Sequence, residues 1–87
     1  MIAGKTNSGF AFEIDEEVMD DYELLETLRG VDKGDVFLLT DAAKQILGSE
    51  QLNALKDHIR DEKGKVSAKK MIEEIGQVLS SNSQGKN

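Results

Sequence analysis

The chain has 87 residues, a net charge of −6, 38% apolar and 32% charged residues, and no Cys, Pro or Trp. A domain of this size buries only about 60 to 65% of the surface its unfolded chain exposes, so its core is small. Without cysteine, a disulfide scaffold, a zinc ribbon and a thiol enzyme are excluded, and the acidic balance opposes nonspecific attraction to nucleic acid or anionic lipid.

The opening Met1-Ile2-Ala3-Gly4 has neither a basic nor a long apolar region, and the longest apolar run is the four residues Val36 to Leu39. No signal peptide or membrane span is expected, and a cytoplasmic setting follows. Ile2 to Lys5 reads as a first strand. After the turn-rich Thr6-Asn7-Ser8-Gly9, Phe10, Phe12 and Ile14 alternate with Ala11, Glu13 and Asp15, which is the period of a second strand with one oily face. A lone hairpin is marginal in water, so helices must cover its Phe rings.

Asp15 suits a helix N-cap, and Glu16 and Glu17 complement the positive end of the dipole. Val18, Tyr22, Leu25 and Leu28 then lie on one helical face, with Met19 and Leu24 on its borders and Gly30 as the terminator. Val36 to Leu39 alone would suit a strand. The continuation through Ala42, Ala43, Ile46 and Leu47 keeps helical spacing, so one helix over 35–47 is predicted. Ser49 suits the cap of a third helix, with Leu52, Leu55 and Ile59 inward and its end near Glu62. Val66 and Met71 bracket Ser67 as a hydrophobic staple around an N-cap, opening a fourth helix with Met71, Ile72, Ile75, Val78 and Leu79 inward. Residues 80–87 lack apolar side chains and are expected to form a flexible tail.

The fold class is therefore α+β: an N-terminal hairpin on three to four short helices, with a single domain over 1–79. Phe10, Phe12, Val18, Tyr22, Leu25 and Leu28 are expected to build its core with Leu39, Ile46, Leu52, Leu55, Ile59, Met71, Ile72 and Ile75.

Charge is polarised along this chain. Residues 13–28 hold eight acids and no base, whereas residues 56–70 hold six bases against three acids. The acidic helix reads either as a solvated face or as a surface that guides a basic or amphipathic partner, with Met19, Asp20, Asp21, Glu23, Leu24 and Glu26 as contacts. Lys63, Lys65, Lys69 and Lys70 offer an alternative, phosphate-binding surface near a helix start. No aromatic accompanies these bases, and their loop is too long for a helix-turn-helix.

Catalytic groups are scarce. His58 is the only histidine, and with Asp57 and Asp61 it makes a poor metal site. No G-x-S-x-G elbow occurs, no phosphate loop is present, and a calcium loop across Asp61 to Val66 would need oxygen ligands where Ile59, Lys63 and Lys70 stand. Catalytic, metal and cofactor residues are thus expected to be none, and a binding module fits better than an enzyme.

The stretches Lys5-Thr6-Asn7-Ser8-Gly9-Phe10-Ala11-Phe12-Glu13-Ile14, Asp20-Asp21-Tyr22-Glu23-Leu24-Leu25-Glu26, then Gly48, Glu50-Gln51 and His58-Ile59-Arg60-Asp61-Glu62-Lys63-Gly64-Lys65-Val66 together resemble the small tail assembly chaperones of long-tailed bacteriophages of Gram-positive hosts. The resemblance spans nearly the whole chain and departs from that family at Val31 to Asp35, where a proline-bearing turn is common. It implies a non-enzymatic protein of the host cytoplasm, absent from the finished virion, that binds the tape-measure protein and aids assembly of tail-tube subunits. A nucleic-acid-binding phage regulator using the basic segment and a minor structural tail subunit are the alternatives.

Overall fold

A computed structural model describes the backbone of residues 1–84 and the side chains of residues 1–80; the end of the expected tail, 85–87, lies outside the described residues. The molecule is an α+β assembly of a two-stranded hairpin and helices. Strands β1 (Ile2–Lys5) and β2 (Ala11–Ile14) pair antiparallel, with Ile2 opposite Ile14 and Lys5 opposite Ala11. Phe10, Phe12 and Ile14 all point inward and are buried, as their alternation requires.

The turn is held by its own residues. Buried Thr6 donates its N–H to the Phe10 carbonyl at 2.9 Å, and its hydroxyl accepts the Phe10 N–H at 3.1 Å. Gly9 supplies the left-handed backbone at φ 95° that closes a three-residue hairpin loop. Gly4 makes room for the tip of the Phe12 ring against β1, because a Cβ there would stand 2.6 Å from the ring Cζ. The outer edge of β2 is closed by a side chain. Gln51 Oε1 accepts the Glu13 N–H at 2.8 Å while its Nε2 donates to the Glu13 carbonyl at 2.7 Å, the pair of bonds a further strand would make.

The expected first helix is two helices. Asp15 caps α1 (Glu16–Met19) by accepting the Glu17 N–H at 2.9 Å. Asp21, in extended backbone, then accepts the Glu23 N–H at 2.8 Å and starts α2 (Tyr22–Asp32) anew. The restart turns the second helix about its axis, so its buried face is Leu24 with the half-buried Leu28 and Val31, at i, i+4 and i+7. Tyr22 and Leu25, expected in the core, are 71% and 61% exposed.

Nor does Gly30 end this helix. It lies inside α2 against Leu38, where any Cβ would collide. The terminator is Gly34 at φ 104°. Its N–H donates to the Val31 carbonyl at 2.9 Å and the Asp35 N–H reaches back to the Gly30 carbonyl at 3.1 Å, the two bonds of a Schellman stop.

Helix α3 (Phe37–Ile59) begins where the Asp35 carboxylate accepts the Phe37 N–H at 3.1 Å, so residues 36–39 are helical in character and not a strand. Gly48, at φ 78° and ψ 165°, breaks α3 into arms 37–47 and 49–59, matching the two helices expected on either side of it. The break rests on the glycine: among the described residues the Ser49 hydroxyl makes no capping bond. The second arm stops at Ile59 rather than near Glu62, because Asp61 gathers a tight loop by accepting the N–H groups of Lys63 and Lys65, each at 2.9 Å. Ser67 caps α4 (Ala68–Gln84) through the Lys70 N–H at 3.2 Å. This helix passes the expected end at Leu79.

Both hairpin strands pack on helices, β2 on α3 and β1 on α4, and α2 lies along α3. The small residues Ala42 and Ala43 of α3 are 0% and 1% exposed, and Ala43 lies on the side of α3 toward α4. Leu55, Ile75 and Val78 complete the buried cluster with Leu39, Ile46 and Leu47.

Candidate functional site

The acidic side chains expected to meet a partner lie on the surface: Asp20, Asp21, Glu23 and Glu26 are all exposed. Their expected apolar companions do not join them. Leu24 is 1% exposed, because the break at Asp20-Asp21 rotates α2, and Met19, at the end of α1, packs half-buried against the core. Tyr22 and Leu25 take their place, in a shallow depression of about 560 Å³ shared with Glu26, Arg29 and Asp32. Asp21 also has a structural duty as a cap.

Lys63, Lys65, Lys69 and Lys70 are exposed as well, the first two on the loop and the others in the first turn of α4. The Asp61 carboxylate stands within this set, bonded to the backbone of Lys63 and Lys65. It offsets part of the positive charge that a phosphate would seek. Arg60, just before the loop, pairs with Asp57 at 3.1 Å and donates to the Gly64 carbonyl at 2.9 Å.

His58 serves as a clasp. Its Nε2 lies 3.1 Å from Ser8 Oγ and 3.2 Å from the Ser8 carbonyl oxygen, and its ring sits 5.7 Å from that of Phe10. With the Asn7 N–H donating to Gln77 Oε1 at 2.6 Å, the hairpin tip is tied to both α3 and α4. Among the described residues no carboxylate orients the imidazole from its other nitrogen, no three His, Cys, Asp or Glu side chains could share a metal ion, and no helix is long and apolar enough to cross a membrane.

A further surface escapes the sequence reading. The two arms of α3 and the start of α4 enclose an open groove of about 510 Å³. Phe37 and Thr40 come from the first arm, Leu52 and Lys56 from the second, and Met71 and Ile72 from α4. Phe37 is 81% exposed, and Val36 and Ile72 beside it are 52% and 44% exposed; Ile72 was expected in the core. One signal was available: four consecutive apolar residues, Val36 to Leu39, span about 300° of a helix, so a helix cannot bury them all. Leu39 is buried and Phe37 is left outside. No protein family, curated protein or solved structure matches the chain.

Proposed function

We propose that this protein is a tail assembly chaperone of a long-tailed bacteriophage, a non-enzymatic protein that holds an apolar helical segment of the tape-measure protein in the host cytoplasm and aids assembly of the tail tube. The observation that carries the reading is the groove between α3 and α4, where Val36, Phe37 and Ile72 stay exposed together on a small, charged domain. Contiguous exposed apolar surface on a domain with so little core is what a helix-in-groove contact uses. The acidic surface around Tyr22 and Leu25 supports a second role, attracting the basic flanks of the same partner.

Two outcomes are expected. Phe37→Ser should lower capture of co-expressed tape-measure protein at least tenfold, as loss of a central aromatic anchor does, and shift unfolding free energy by no more than about 0.5 kcal/mol. Capture at the wild-type level by this variant would remove the groove as the contact. The triple change Asp20→Asn, Asp21→Asn, Glu23→Gln should weaken capture and flatten its salt dependence while leaving the fold intact, since Asn can still cap α2. An unchanged salt profile in pull-down would exclude the acidic face as a guide.

A further inference from the structure

Among the described residues, Lys56 is the one charged side chain in the wall of the α3–α4 groove. Its neighbours one turn away are Leu52, Asn53 and Ile59 on α3 and Arg60 at its C-cap, none of them acidic. Among the described residues the ion pairs are Met1 with Glu16 and Arg60 with Asp57, so the Lys56 ammonium has no carboxylate partner. Lys56 is half-buried, and its side chain lines the groove in an otherwise uncharged wall.

We propose that the groove selects an amphipathic helix carrying a carboxylate within its apolar face, and that this carboxylate pairs with Lys56. The proposal rests on reading the groove as a helix-binding site. A wholly apolar helix seated there would strip water from the ammonium and return nothing for it. A helix with a base at that point would add like-charge repulsion in a partly dry contact. A glutamate satisfies the ammonium with a charge-assisted hydrogen bond, and it fixes the register of the helix in the groove. The sign of this preference is opposite to that of the acidic α2 surface, so the two surfaces sort different parts of a partner.

The test uses two fluorescein-labelled model helices of Leu, Ala and Gln that differ at one position within the apolar face, Glu in one and Lys in the other. Their binding to the full chain is measured by fluorescence anisotropy. The wild-type protein should bind the Glu helix about tenfold more tightly than the Lys helix. Lys56→Glu should invert that order, Lys56→Met should erase it, and Phe37→Ser should weaken both helices alike. Equal affinity for the two helices, a preference that survives Lys56→Met, or no binding of either helix overturns the proposal. The first of these is the result expected if the Lys56 stem merely lies along the groove with its amine in water. Concentration-dependent self-association abolished by Lys56→Glu would also overturn it, by assigning the groove to the acidic α2 of a second copy. If tape-measure capture depends on Phe37 while the model helices are not discriminated, this inference fails and the chaperone reading stands. If the helices are discriminated while no tape-measure protein is captured, the reverse holds.

Discussion

Leu24→Ala is expected to lower the free energy of unfolding by about 3 kcal/mol, and Tyr22→Ala and Leu25→Ala by no more than about 0.5 kcal/mol each. Leu24 is among the largest fully buried side chains, at 1% exposure, on the helix that packs along α3. Removing it leaves a cavity that two helices cannot both collapse to fill. The aromatic ring of Tyr22 and the side chain of Leu25 stand in solvent, so truncating them forfeits little burial. A domain this small has on the order of 5 kcal/mol in total, so the Leu24 variant should be substantially unfolded in modest urea, followed by circular dichroism. Costly changes at Tyr22 and Leu25 with a cheap one at Leu24 would mean one continuous helix from Glu16, with the face that simple periodicity assigns.

Gly48→Ala is expected to cost about 1 to 3 kcal/mol, although nothing lies within 4 Å of the position an added Cβ would take. The penalty is in the backbone alone. At φ 78° and ψ 165° any residue with a Cβ is strained, and becoming helical, the conformation of both flanking arms, relieves that strain by straightening α3. Straightening would swing arm 49–59 away from arm 37–47, separating Leu52 and Lys56 from Phe37 across the groove. It would also pull Gln51 from the Glu13 backbone, to which it bonds at 2.7 and 2.8 Å. Amide exchange at Glu13 should therefore rise together with the loss of stability. Gly76→Ala is the control: it lies within α4, also with nothing within 4 Å, and should be neutral or stabilising by up to about 1 kcal/mol. Wild-type stability and unchanged Glu13 exchange in Gly48→Ala would show that the bend does not depend on glycine.

Much of the fold was legible because its signals are local. The alternation of Phe10, Phe12 and Ile14 needs only the two-residue period of a strand, and the caps at Asp15 and Ser67 need one side chain and the N–H two or three residues on. Gly48 was legible as a boundary for the same reason. The candidate site was less so. The acids at Asp20, Asp21, Glu23 and Glu26 could be placed on the surface from charge alone, but their apolar companions could not, since that depended on whether the helix ran straight through Asp20-Asp21. Two adjacent cap-forming residues permit a restart without requiring one.

Composition and pattern by themselves determined the α+β class, the inward face of the hairpin, the starts of α1 and α4 and the separation of acidic from basic stretches. Tertiary structure decided the rest. It determined that Gly30 continues α2 where Leu38 packs on it while Gly34 stops it, that Leu24 is inside and Leu25 outside, and that Phe37 and Ile72 line the same open groove. Caps and strand periods are set by hydrogen bonds between near neighbours, so they are written in a few adjacent residues. Which apolar side chains remain uncovered depends on what distant segments press against each helix, and no local pattern contains that.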